Sequence, residues 1–293
     1  MSSHPDVGFA QLTSARTIVF FAGALLCLGV AAWPLVASRR AAGAGRFYSW
    51  RLSVVALFTA AAFVVVSFQP APRRAPVQPL VALPAAAAIG PGAAIAVTYA
   101  DGGMACTAGF LVRKASGQTG VLTAGHCNKT GEASKVIMNA GSVPYQTVGT
   151  FGPTISEGER GEAHDIGLIW LDSEEVPHIP AIAATSTPVS GVAGELRIGQ
   201  QLCKFGMKTG RTECGQITDV TESKVVFLAA SQCGDSGGPV YLLDDDRAAA
   251  VGIHIRGGRP NDPHPGCSVP ATFSVAELVR PWLDQWGLSV VTG

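Results

Sequence analysis

Hydrophobic positions are distributed in three textures along this chain of 293 residues. The first is a pair of uninterrupted apolar runs near the N-terminus. Residues 17–37 (TIVFFAGALLCLGVAAWPLVA) carry no charge and have the length of a bilayer-crossing helix. Residues 52–68 (LSVVALFTAAAFVVVSF) are also uncharged and, at 17 residues, reach the short end of that range. The segment between them holds Arg39, Arg40, Arg46 and Arg51, whereas only Arg16, with Asp6 nearby, precedes the first run. Short arginine-rich loops stay on the cytoplasmic side, so the pair predicts a membrane hairpin with both chain ends outside. Arg73 and Arg74 pull against that orientation. The alternative is a cleaved leader and a secreted product. The length of the first run, the presence of a second and the lack of a small-x-small cleavage site favour two retained spans.

The second texture, residues 69–92 (QPAPRRAPVQPLVALPAAAAIGPG), is rich in proline and alanine and almost without periodicity, as expected of a partly extended linker. The third begins at Ala93. Short apolar or alternating runs such as AAIAVTYA, AGFLVRK, GVLTAGH, IGLIWLD, KVVFLAA, GPVYLL and AAVGIHI are cut by glycine-rich turns. This pattern predicts an all-β domain over 93–293, a barrel or a sandwich. One helix is expected near the C-terminus. Ser274 and Glu277 have capping-box spacing, and Val275, Leu278, Val279, Trp282, Leu283 and Trp286 form a helical stripe. Pro281 interrupts the stripe, so the helix starts or bends there, and Gly287 supplies a stop.

Charge and cysteine usage narrow the picture. Formal net charge is zero and 14% of residues are charged, which argues against a nucleic-acid partner. Of seven cysteines, Cys27 lies in the first apolar run and the other six lie beyond residue 100. An even set in an extracytoplasmic domain implies a disulfide framework, with its pairing left open. There is no CxxC pair and no HExxH, so neither a metal nor another cofactor is implied.

Three short segments carry the candidate chemistry. In VLTAGHC an apolar strand ends at His126; in EAHDIGLIWL Asp165 opens a strongly apolar strand; in SQCGDSGGPV Ser236 sits among glycines. Each alone has a bland explanation: a structural histidine, a capping carboxylate, a polar turn. Together, in the order His, Asp, Ser within an all-β domain, they match the chain order of a charge-assisted nucleophilic triad.

On TAGHC, HDIGLIWL and GDSGGP the chain resembles trypsin/chymotrypsin-like serine proteases, and its flavour is that of secreted bacterial members. The resemblance runs from about Ala93 to Trp286. It implies two antiparallel six-stranded β-barrels with a short C-terminal helix, and an endopeptidase acting through an acyl-enzyme on a polypeptide substrate. His126 would be the general base, Asp165 its orienting partner and Ser236 the nucleophile, with the Gly234 and Ser236 N–H groups as oxyanion hole. It further implies disulfides Cys106–Cys127, Cys203–Cys214 and Cys233–Cys267. An ion pair of Lys204 with Asp235 would stand in for the freshly cleaved N-terminus of animal members, whose Ile-Val-Gly-Gly start this chain lacks.

Ala230, His254, Arg256 and Gly257 are expected around the primary pocket. Ala230 offers no carboxylate for a basic substrate side chain, while His254 resembles the histidine of glutamyl endopeptidases and Arg256 adds positive charge. Cys233 departs from the animal pattern, lying one position closer to the serine. A catalytically silent binding or sensor module on the same fold is the alternative function. Its usual signature is a missing triad residue, and none is missing here. Oligomeric state is left open.

Overall fold

In a computed structural model, the described residues are 82–99, 102–129, 131–141, 145–157, 164–172, 175–183, 185–262, 267 and 269–293. They belong to one unit, Val77–Gly293. The two spans expected at 17–37 and 52–68 lie outside the described residues, as does the linker up to residue 81. Among the described residues no helix is long and apolar enough to cross a membrane.

The domain is built almost entirely of strands. The first half of the chain gives β1 (Ala94–Tyr99), β2 (Gly102–Thr107), β3 (Leu111–Lys114), β4 (Thr119–Thr123), β5 (Lys135–Met138), β6 (Gln146–Ser156) and β7 (Asp165–Leu171). The second half gives β8 (Ala181–Ile182), β9 (Thr187–Val192), β10 (Gln201–Phe205), β11 (Thr212–Val220), β12 (Lys224–Phe227), β13 (Pro239–Asp244), β14 (Arg247–Gly258) and β15 (Phe273–Leu278). Helix α1 (Arg280–Trp286) and β16 (Leu288–Val290) close the chain.

Two eight-stranded sheets result, ordered β16-β3-β4-β7-β6-β5-β1-β2 and β13-β10-β11-β12-β15-β14-β9-β8. A further β13–β14 pairing closes six strands of the second sheet into a ring. The expected pair of six-stranded antiparallel barrels is met by this one ring and departed from in two respects. Each sheet carries eight strands, and β9 joins β14 in parallel, Ala248 opposite Val189. The extra strands are edge additions, and they leave the closed ring intact.

The apolar runs explain where the strands sit. In β7, which pairs with β4 and β6 at its two edges, Ile166 and Leu168 are fully buried on one face and Ile169 on the other, each face packing into a different apolar cluster. Ile95, Val97, Val121, Val136 and Phe151 join Ile169 in the core of the first sheet. Leu202, Ile217, Val225, Phe227 and Val240 form that of the second. A third cluster spans both: Phe110, Leu122, Ile166 and Leu168 pack with Phe205, Tyr241, Ile253 and Trp282. This shared core, which includes β7 residues next to Asp165, holds the sheets together beneath the candidate site.

Two sequence readings need correction here. Residues 82–92 are part of the domain rather than the tail of a linker. Leu83 and Ile89 are buried, Ala86 N–H donates to Asn139 O at 2.9 Å, and Ile89 bridges to His178. Ser274 and Glu277 do not cap a helix. They lie on β15, which pairs with β12 on one side and β14 on the other. Ser274 to Glu277 are also buried on both faces of the strand, so its period of two is erased and the run imitates a helical stripe. The helix begins only at Arg280, with Pro281 in its first turn, where a missing N–H costs nothing. It ends at Gly287 in the left-handed region, φ 62°.

Candidate active site

His126 stands on a short 3-10 turn, Gly125–Cys127, immediately after β4. The turn packs closely against β6: a Cβ on Gly125 would lie 1.9 Å from Ile155 O, so only glycine fits before the histidine. Asp165 opens β7 and holds His126 twice. Its Oδ2 is 2.6 Å from the imidazole Nδ1, and its Oδ1 accepts the His126 backbone N–H at 2.7 Å. One carboxylate thus fixes both the ring and the main chain of the same residue. With Nδ1–H donated to Asp165, Nε2 is left as the proton acceptor. The imidazole remains about one-third exposed, whereas Asp165 is nearly buried.

Ser236 lies on the turn before β13, braced from the first sheet. Thr107 N–H donates to Ser236 O at 2.8 Å, Thr107 Oγ1 donates to Gly234 O at 2.8 Å, and Thr123 Oγ1 donates to Thr107 O at 3.0 Å. Gly234 adopts φ +103° and Gly237 φ +89°, conformations that glycine enters without cost. A Cβ on Gly237 would sit 2.0 Å from Thr123 Oγ1, so the serine turn can approach the histidine strand only with glycine there.

Beneath this turn Asp235 is fully buried and collects donors on both oxygens. Lys204 Nζ reaches Oδ2 at 2.8 Å and Gln232 N–H the same atom at 3.0 Å; Thr209 Oγ1 also donates to it. Thr209 N–H and Lys208 N–H reach Oδ1 at 2.9 and 3.1 Å. Burial pushes the Asp235 carboxyl up, but the Lys204 ammonium and the Thr209 bonds outweigh it and hold it below the ordinary value. Burial lowers the Lys204 ammonium, and Asp235 restores only part of that shift.

The residues expected around a primary pocket do not share one environment. Ala230 is half-buried and Gly257 partly exposed. His254, on β14, is only 2% exposed, and its Nδ1 has no hydrogen-bond partner. Its backbone braces the serine turn: Gly237 N–H donates to His254 O at 2.7 Å, and His254 N–H to Gly238 O at 2.9 Å. Burial, reinforced by the positive charge of Lys204, pushes its imidazole down to about 3. Arg256, across a bulge in the same strand, is partly exposed, and burial alone lowers its guanidinium.

The six cysteines are bonded as Cys106–Cys127, Cys203–Cys214 and Cys233–Cys267. The first joins β2 to the histidine turn. The third ends one residue before Gly234, so it tethers the peptide whose N–H Gly234 presents.

Several residues around the site were not singled out from the sequence. Thr107 and Thr123 carry the bracing between histidine and serine segments, and Thr209 completes the Asp235 shell. A threonine in a strand reads as ordinary β filler, so nothing marks its hydroxyl as a clamp. Glu277, read as a helix cap, is a buried carboxylate that reaches the backbone of Asp165. His164, next to Asp165 in sequence, pairs with Glu277.

Comparison with known proteins agrees with this fold. The family described as Trypsin matches residues 86–279. Serine protease 2 of Streptomyces fradiae is 30% identical over 156 residues, 49% of this chain and 83% of that protein. An uncharacterised protein of Mycobacterium tuberculosis is 32% identical over 153 residues, 47% of this chain; the match spans 64% of that relative's length. Thermobifida fusca protease A superposes with a TM-score of 0.51 at 26% identity, covering 71% of this chain and all of that one. A glutamic-acid-specific serine protease described as using a histidine triad in substrate binding superposes at 0.52 with 25% identity, covering 69% and 100%. With the family matched over most of the chain and the fold shared with its bacterial members, this chain belongs to the trypsin/chymotrypsin-like serine protease family.

Proposed function

We propose that this protein is an extracytoplasmic serine endopeptidase tethered to the membrane by its N-terminal apolar runs. The observation that carries the activity is the two-point hold of Asp165 on His126 opposite a glycine-rich serine turn. His126 Nε2 takes the Ser236 hydroxyl proton as the oxygen attacks the scissile carbonyl, then returns it to the leaving amine. Asp165 keeps the tautomer and stabilises the imidazolium. The N–H groups of Gly234 and Ser236 receive the developing oxyanion. Water then hydrolyses the acyl-enzyme by the same proton route. The tether rests on the two uncharged runs and the arginine-rich segment between them, and the outside location on three disulfides.

Lys204 takes over the part that a cleaved N-terminal ammonium plays in animal members, because Asp235 already has its cation from β10. Trimming is then unnecessary for activity. The preferred substrate side chain at the cleaved bond is acidic, in keeping with the glutamic-acid-specific structural neighbour. As placed, His254 is buried and neutral, so the cation for such a carboxylate is Arg256. Burial lowers that guanidinium, and it stands on the same strand as His254, across the bulge.

A fluorophosphonate probe is expected to label the wild-type chain and not Ser236→Ala, and that substitution should lower turnover by about 10⁶. A loss of only a few-fold would mean that Ser236 is not the nucleophile. The chain carrying a blocked, extended N-terminus should retain full turnover; dependence on a trimmed end would sink the Lys204 assignment. For Arg256→Gln, kcat/KM on a peptide with Glu before the cleaved bond is expected to fall about 10–10²-fold relative to one with Leu. Equal effects on both peptides would refute the acidic preference.

The buried His254 also sets a pH dependence. Its folded pKa lies below the unfolded 6.5, so between pH 6.5 and about 3 the unfolded state binds more protons. Its contribution to stability is complete above pH 6.5 and declines as pH falls, by up to about 1.4 kcal/mol per pH unit. Urea midpoints at pH 7 and 5 should differ less in His254→Leu than in the wild type; an unchanged difference would exclude this origin.

A further inference from the structure

Among the described residues, Glu277 is a buried acid whose partners lie along the seam between the sheets without belonging to the triad or the Asp235 shell. It sits on β15, with its side chain 0% exposed. Both oxygens are fully engaged. Oε1 accepts His164 Nδ1–H at 2.8 Å and Trp282 Nε1–H at 2.9 Å. Oε2 lies 2.7 Å from Lys224 Nζ and accepts the Asp165 backbone N–H at 3.3 Å. Four donors on two oxygens require an acceptor-only, ionised carboxylate. Trp282, from α1, also stacks edge-on against His164, with ring centroids 5.1 Å apart.

The last of these bonds matters because of where it falls. His126 and Asp165 belong to the first sheet, Ser236 and Glu277 to the second. Asp165 is the first residue of β7, and its ladder to β6 ends there, with Ser156 opposite. The next main-chain bond outward runs from Glu157 N–H to His164 O. The Asp165 N–H faces the other sheet instead, and Glu277 Oε2 takes it. The residue that orients the imidazole is therefore anchored, at its own main chain, to the sheet that carries the serine. A buried Lys–Glu pair by itself gives little net stability and can often be replaced by apolar side chains. Such a replacement would not supply the acceptor for Asp165.

We propose that Glu277 is a positioning residue for the reaction put forward above, its carboxylate setting Asp165 across the seam between the two sheets. The proposal rests on the roles assigned to His126, Asp165 and Ser236. Lys224 neutralises Glu277, while His164 and Trp282 fix the orientation of its two oxygens.

Two variants of the full chain test it. Glu277→Gln removes one acceptor oxygen. Glu277→Gln with Lys224→Met removes the buried charges together and keeps the packing volume. In the double variant the single amide oxygen satisfies the two donors at the Oε1 side, which leaves the Asp165 N–H facing an NH₂ group. Both variants are expected to keep a wild-type near-UV circular dichroism spectrum. Turnover should fall about 10–10²-fold, the size of a loss from slight misplacement of a reacting group, with KM nearly unchanged. The acid limb of kcat/KM against pH should move to lower pH, because a loosened Asp165 stabilises the His126 imidazolium less.

A folded double variant with turnover and acid limb like the wild type overturns the proposal, and so does a double variant that cannot fold, which would assign Glu277 to stability alone. A wild-type chain that takes no fluorophosphonate label removes the proposed reaction and this proposal with it. Labelled variants with undiminished turnover overturn this proposal only.

Discussion

The ion pair of Lys204 with Asp235 is the constraint on which the serine turn depends. A fully buried carboxylate is expensive unless charge and hydrogen bonds satisfy it. Here five donors converge on Asp235, drawn from β10, from the loop after it and from the serine turn itself. Gln232 N–H binds this carboxylate across Gly234, and Thr209 ties the same carboxylate to the loop after β10. Gly206 permits it, since a Cβ there would lie 2.2 Å from the Asp235 carboxyl carbon. The backbone around Gly234 is therefore held by the neutralisation of a charge deeper in the domain.

A second constraint acts between the sheets. The apolar cluster shared by Phe110, Ile166, Phe205 and Ile253 brings the sheets together but is non-directional. Direction comes from a small number of polar contacts across the seam. Thr107 clamps Gly234 and Ser236 from one side, and Glu277 holds Asp165 from the other. Each clamp uses a side chain of one sheet on the main chain of the other, and Thr107 adds a main-chain bond to Ser236. Hydrophobic packing supplies most of the adhesion, and these hydrogen bonds supply the register that a shared site requires.

Much of this was legible in the sequence, for a physical reason. His126, Asp165 and Ser236 sit at strand ends, where an apolar run breaks abruptly into small or polar residues, and such breaks are visible without an alignment. The glycines at 234 and 237 mark backbone that no other residue adopts easily. Helix α1 was visible through Pro281 and Gly287, which punctuate it on both sides. What misled was β15. A strand paired on both edges and buried on both faces loses its alternation, so Ser274 and Glu277 took on the look of a capping box. Residues 82–92 were misread for a related reason: their prolines and alanines look like a spacer, and only the burial of Leu83 and Ile89 ties them to the core.

The clamps were invisible for a deeper reason. Thr107 and Glu277 matter through partners 127 and 112 residues away in sequence, Gly234 and Asp165 respectively. Nothing in a local window distinguishes a threonine that donates to solvent from one that donates across a seam. Nor does it distinguish a cap glutamate from a buried one. Motifs announce residues whose local backbone is unusual, as at Gly234 or Gly237. Residues that act through ordinary strand geometry and long-range contact leave no such mark. In this domain the candidate site residues are of the first kind, and the hydrogen bonds that join their segments across the two sheets are of the second.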